Sequence, residues 1–391
     1  MHYLFRRDTV LATISVFFVM WLFAFIPANM HFLDPIKIAL TDIDFNDLSY
    51  STLKSHRTNG MDDKIVIINI RQAGRDTIAQ VINKLNNFHT RAIGLDVLFN
   101  APKDPSKDKQ LADAIKSSSN IVLSDKLEWN KDTLYHDAYF PSYSPHIGYV
   151  NFIGEEGGVI RQFSPFEKWK DTVNSSFAAA IVEVADAVQY RTLQKRKNDV
   201  EWINYTREGE RYITIDYAVL LRKVDTGMFK DKIVLIGIAD NNPDNIEDKH
   251  FTPLNERFAG KSIPDMNGVV LHANIISMIM ENNYLQYVPF WVNWMIAFIV
   301  CWLFLAIVIE YSLIKHIWFH LISKTIQLVI AVLFIFAGIW GQRYLNTHLD
   351  FSMTLVAIAF SVDVLYFYEG FAKSAHRRFG YRTVFINSEH P

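Results

Sequence analysis

Apolar and polar positions divide the chain into three regimes. Residues 10–26 form an apolar run. Between residues 64 and 284, short apolar stretches alternate with polar ones at the periods of strands and helices. Three long apolar runs follow, over 288–309, 322–340 and 351–368. A helix needs about 20 apolar residues to cross a bilayer, so each is near spanning length. Their short connections make them antiparallel neighbours. The first run is long for a signal-peptide core and at the short limit for a span, and Pro27-Ala28-Asn29-Met30 is a poor small-x-small cleavage sequence. The run is therefore expected to stay as an anchor, giving four transmembrane helices in all.

The middle regime reads as an α/β domain. Residues 64–70 are continuous and β-branched, as strands buried on both faces are, and 91–99 read as a second buried strand. Between them, residues 76–88 place Ile78, Val81, Ile82 and Leu85 on one helical face. This is a βαβ unit, which implies a parallel pair with a right-handed crossover. A helix over 107–118 and a strand over 120–124 continue it. Residues 147–152 and 159–163 then predict a β-hairpin around Glu155-Glu156-Gly157-Gly158. An Ala-rich helix over 175–190, short strands over 201–205 and 212–215, and a strong buried strand over 232–240 complete the pattern. The polar lead-in, 34–60, carries Asp42, Asp44 and Asp47 and predicts one short helix or strand.

One stretch closes the domain. Pro264 and Asp265 break what precedes it, and Asn267-Gly268 supplies a turn. Val270, Leu271, Asn274, Ile275, Met278 and Ile279 then recur at helical spacing. This helix is the last soluble element before the long apolar runs. The expected organisation is a stub and anchor over 1–29, a domain over 30–285 with a mixed, largely parallel sheet flanked by helices, three spans over 286–368, and a tail over 369–391.

Charge and cysteine content narrow the classes. The formal net charge is −2 over 391 residues, so nothing points to nucleic acid. The single cysteine, Cys301, permits no intrachain disulfide. Arg6, Arg7, Lys315, Lys324, Lys373, Arg377, Arg378 and Arg382 all fall on one side of a four-span arrangement. The short connection on the other side, 341–350, holds only Arg343. The positive-inside rule then places both termini in the cytoplasm and the domain outside. The tail after Tyr368 has about 23 residues, too few for a folded catalytic domain.

The order of motifs resembles that of CHASE2 domains, extracytoplasmic sensory domains of bacterial membrane receptors that are followed by three transmembrane helices. Ile93-Gly94-Leu95-Asp96-Val97-Leu98-Phe99 is similar to the family's early strand. Gly148-Tyr149-Val150-Asn151, then Gly158-Val159-Ile160-Arg161, resembles its central hairpin. Residues 232–239, Asp248, Thr252-Pro253 and Gly268 through His272-Ala273-Asn274 resemble its C-terminal part. The resemblance runs across most of the domain and extends to the spans. Gly157 stands where the family usually carries aspartate. Family members also commonly continue into a histidine kinase, a nucleotide cyclase or a protein kinase, which the short tail does not. The resemblance implies a bacterial inner-membrane sensor or interaction module acting through a separate partner. The alternative is a scaffolding subunit of an envelope complex.

Five residues are candidates for binding a ligand. Asp96 ends a buried strand, where it either holds a polar ligand or cation or anchors a loop. Asp248 lies with Asp240, Asp244 and His250 in the loop after the strand over 232–240, and loops after parallel strands are where α/β sheets place sites. The plainer reading is a solvated acidic loop, since the spacing fits neither an EF-hand nor a zinc site. His272 and Asn274 open the closing helix on different faces. His272 is either a pH-sensitive contact or a buried histidine bonded to a carbonyl. Arg161 either binds an anion or makes a structural salt bridge. In the last apolar run Asp363 is expected to pair with Lys324, to meet a partner's basic residue, or to snorkel to the interface. No phosphate loop, nucleophile elbow or His-Glu-x-x-His helix occurs, so no enzymatic activity, cofactor or metal is expected. The expected partners are the lipid bilayer, a membrane or envelope protein and a small molecule.

Overall fold

A computed structural model describes residues 3–24, 47, 50, 60–130, 133–136, 139–140, 143–144, 146–154, 158–222, 225–240, 242, 245–255, 263–313 and 318–386. Almost all of the lead-in over 34–60 and the turn residues 155–157 lie outside them. The chain falls into two compact units, one of Met1–Ser49 with Gln286–Pro391 and one of Tyr50–Leu285. The second is therefore an insertion between α1 (Arg7–Ala24) and the last three helices.

The inserted unit is built on six strands. In chain order they are β1 (Asp62–Asn69), β2 (Ala92–Leu95), β3 (Ile121–Asp125), β4 (His146–Tyr149), β5 (Tyr212–Asp216) and β6 (Ile233–Gly237). They lie side by side as β5-β1-β6-β2-β3-β4, and every pairing is parallel. Both faces are covered, which is why the central strands read as unbroken apolar runs rather than alternating ones. On one face α2 (Arg75–Asn86) and α3 (Pro105–Lys116) pack against Val66, Ile68, Ile93, Leu95, Val234 and Ile236. On the other α4 (Phe177–Ala185), α5 (Ala187–Arg196) and α6 (Gly268–Met280) pack against Ile65, Ile67, Val122, Ile233 and Leu235.

Two expected elements take another form, and two antiparallel ladders, 127–130 with 133–136 and 166–169 with 172–175, were not expected. Residues 146–149 do not form one regular hairpin with 159–163. They join the main sheet beside β3, and only an isolated antiparallel bridge, Ile153 to Gln162, closes the expected turn. The Ala-rich helix is two helices, because the Asp186 carboxylate accepts from Val188 and Gln189 N–H and starts a new helix there.

In the other unit, α7 (Phe290–Ser312), α8 (Phe319–Leu345) and α9 (Ser352–Phe379) are long and apolar enough to cross a membrane. Among the described residues that is three helices where four were expected. The fourth expected run, 10–26, is described only as far as Ala24, in the 18-residue α1. Helix α1 still packs on α7 and α9, through Ala12, Val16 and Met20 at four-residue spacing. Tucked into the bundle, Gln327 Nε2 donates to the Ile358 carbonyl at 2.5 Å.

Candidate functional site

The C-terminal ends of the strands form one row. The register aligns Asn69 of β1 with Gly237 of β6 and Ser124 of β3 with Gly148 of β4. Asp96 follows β2 directly and continues its ladder, with its N–H bonded to the Ile236 carbonyl at 2.8 Å. Residues that share a register in a parallel sheet share a face. Asn69, Gly237, Asp96, Ser124 and Gly148 therefore line the side carrying α4 and α6. Two of the five are glycines, and each lets a helix start come down to the sheet edge. A Cβ at Gly148 would lie 2.5 Å from the Phe177 Cα, and one at Gly237 would lie 3.0 Å from the Val269 Cβ. The N-termini of α4 and α6 thus both arrive beside Asp96 and Ser124.

The chain leaves β2 for α3 on one face and leaves β6 for α6 on the opposite face. This divergence is the switch point at which open α/β sheets hold ligands. The loop after β6 supplies Asp248 and His250. Both approach Gly268, at the start of α6. The Asp248 carboxylate oxygens and His250 Nε2 lie within 3.6 Å of the point a Cβ there would occupy. Asp248 has left-handed backbone, φ 55°, which aspartate tolerates better than most residues, and its carbonyl accepts the Gly268 N–H. His272, one turn into α6, is 3% exposed and stacks on Phe152 at 4.7 Å. Phe152 also meets the His250 ring edge-on at 5.5 Å.

The electrostatics of this cluster are unusual. Burial, helped by the Asp248 charge, pushes the Asp96 carboxyl up to about 8. Burial, helped by nearby His250, pushes His272 down to about 3. Near neutral pH Asp96 therefore carries a proton it can donate, and His272 is a neutral imidazole. Among the described residues, His272 Nδ1 and Ser124 Oγ are buried without a hydrogen-bond partner. Two helix N-termini add partial positive charge. The arrangement suits a small ligand rich in acceptor oxygens. Among the described residues no group of three or more His, Cys, Asp or Glu side chains is arranged to hold a metal.

Asp96, Asp248 and His272, named from sequence, thus share one neighbourhood. Asn274 points elsewhere: its side chain accepts from Thr206 and Arg207 N–H and donates to the Arg207 carbonyl. The Arg161 carbonyl accepts from Ile203 N–H at the edge of a small two-stranded ladder. In the other unit, Lys324 Nζ lies 3.2 Å from Asp363 Oδ2, with both side chains more than half exposed. Sequence reasoning did not single out Ser124 or Phe152, and treated His250 as part of a solvated loop. The strand register is the signal that finds Ser124.

Residues 203–207 form a second focus. Tyr50, at the start of the inserted unit, donates to the Ile203 carbonyl and packs edge-on against Tyr205. Asn283, at its end, accepts from Asn204 Nδ2. Arg207 pairs with Asp62 at 3.4 Å and Glu281 at 2.8 Å, and Ser277 Oγ reaches the same Asp62 at 2.9 Å. Helix α6 therefore has its N-terminus at the strand-end cluster and its C-terminal half fixed to the segment that also holds both ends of the unit.

A family model described as the CHASE2 domain matches residues 12–308, which takes in all six strands and α6. No match was found among curated proteins or among solved structures.

Proposed function

The chain belongs to the CHASE2 domain family, a family of sensory extracytoplasmic domains, and from that premise we propose that it senses a small acceptor-rich ligand at the Asp96–His272 cluster. The observation that carries this reading is the pair of buried polar atoms without a partner among the described residues, His272 Nδ1 and Ser124 Oγ, at the sheet's switch point beside Asp96, whose carboxyl burial pushes up to about 8. Buried polar groups are normally satisfied, and exceptions mark sites. Asp96 donates to the ligand, and the helix N-termini favour an anionic one. Ligand contact at the start of α6 is passed along this 13-residue helix, about 20 Å long, to residues 203–207 and the two ends of the unit. Such a shift signals only if ligand binds the two states unequally.

The domain faces the outside, the arginine-rich end of the bundle faces the cytoplasm, and the membrane is the bacterial inner membrane. The run of Arg6, Arg7, Lys373, Arg377, Arg378 and Arg382 against a lone Arg343 supports this orientation. The output is carried by a separate membrane protein that docks on the bundle. The support is the exposed Lys324–Asp363 pair within apolar helices, where charges normally find cover.

The test is thermal unfolding of the full chain in lipid discs with acetate, succinate, sulfate and phosphate at pH 6.5 and pH 9. The expected result is a rise in Tm with at least one anion at pH 6.5 that shrinks at pH 9 and is absent in Asp96→Asn. A shift that persists in Asp96→Asn, or no shift with any of the four, sinks the reading. Recovery of the chain from native membranes only with envelope-assembly proteins would favour the scaffold alternative.

A further inference from the structure

A cavity of about 730 Å³ opens at one end of the helix bundle, lined by Tyr3, Phe5, Arg6, Arg7, Asp8, Leu313, Arg382, Thr383 and Val384. Three of these are arginines, and among the described residues none of the three guanidinium groups makes an ion pair. The one acid, Asp8, is 2% exposed and fully engaged. Its Oδ1 accepts from the Tyr368 and Tyr381 hydroxyls at 2.8 and 3.1 Å, and its Oδ2 accepts the Val384 N–H at 2.9 Å. Asp8 thus fixes the tail that forms one wall and leaves the arginines to face the opening. The cavity also lies at the N-terminus of the 18-residue α1, the positive end of its dipole. Its rim carries Phe5, 82% exposed and edge-on to Trp302 at 5.5 Å.

We propose that this cavity is a phosphate-binding site that takes an anionic phospholipid headgroup. Guanidinium groups grip phosphate oxygens through paired N–H bonds, and three of them around one opening match a phosphodiester. Basic pockets between membrane helices at the cytoplasmic face bind phosphorylated headgroups by this means. The Thr383 hydroxyl at the wall adds a hydrogen-bonding group. A soluble phosphate compound offers the same chemistry, and the test separates the two sources.

The full-length protein is purified into discs of neutral phosphatidylcholine. Phosphatidylglycerol retention is measured by native mass spectrometry, and binding of inorganic pyrophosphate by calorimetry. Arg7→Gln/Arg382→Gln is compared with Arg377→Gln/Arg378→Gln, which removes the same charge from the nearby end of α9, outside the cavity. The expected result is retention of phosphatidylglycerol by the wild type, a loss of about thirtyfold in the cavity variant, and little change in the control. Binding of pyrophosphate but not of the lipid, with the same dependence on the cavity arginines, assigns the site to a soluble phosphate compound. Binding of neither probe, or equal losses in the two variants, overturns the proposal.

Discussion

Two side chains set opposite pH dependences. In the unfolded chain Asp96 ionises at 3.8, but in the fold it holds its proton up to about 8. The folded state therefore binds more protons across that window, and the group's contribution to stability is lost as pH rises through it. Asp96→Asn removes the loss, so the variant should unfold at a higher temperature than wild type at pH 9 and differ little at pH 4. His272 runs the other way. Its imidazole takes a proton at 6.5 when unfolded but only near 3 when folded. Its contribution is lost as pH falls below 6.5, by up to about 1.4 kcal/mol per pH unit. His272→Gln should flatten that acid limb in urea unfolding followed from pH 6.5 to pH 4. Asp96 was legible in the sequence because an aspartate ending a buried apolar run is conspicuous. Ser124 was not, because only the register of β3 on its neighbours puts its hydroxyl beside Asp96. His250 sits in a loop whose polar composition looks the same whether it is solvated or folded back on α6.

At the scale of elements, the helix starts depend on glycine. At Gly148 the obstacle to a side chain is the Phe177 backbone, which has no rotamer to yield. Gly148→Ala should push α4 off the sheet and cost about 1–3 kcal/mol, seen as a fall in Tm of about 2–4 °C for each kcal/mol. Asn274→Ala tests the other end of the route. It strips partners from Thr206 and Arg207 and should cost about 1–3 kcal/mol, while also blunting any ligand-induced protection of residues 203–207 from hydrogen exchange. Most elements were legible, since continuous β-branched runs and one-faced helices have few other solutions. Two of the expected ones were not. Strand β4 is short, and nothing local decides whether it pairs with 159–163 or with β3. The break between α4 and α5 turns on one aspartate capping a new helix, a choice that a run of alanines obscures.

At the scale of the molecule, the sequence placed three long apolar helices after the domain, and those three are present. The expected fourth rests on the run over 10–26, of which the structure describes residues up to Ala24. Helix α8 is the least covered of the three, with 17% of its apolar window buried against 44% for α7 and α9. Asp363→Asn should leave folding of the bundle unchanged, because the side chain is exposed, but should reduce recovery of any partner bound over α8 and α9. Equal recovery from native membranes, judged by quantitative mass spectrometry, would count against docking there. The hydrogen bonds from Tyr381 and Val384 to Asp8 have a practical consequence as well. They bring residues 3–8 and 381–384, far apart in sequence, together, with Tyr3 and Val384 lining one cavity. A donor dye near residue 3 and an acceptor near residue 386 should therefore show strong energy transfer at rest. Cys301 is buried and would not compete for thiol labels. Asp8→Asn should weaken the latch and dim the transferred emission, giving an optical gauge of tail release in living membranes.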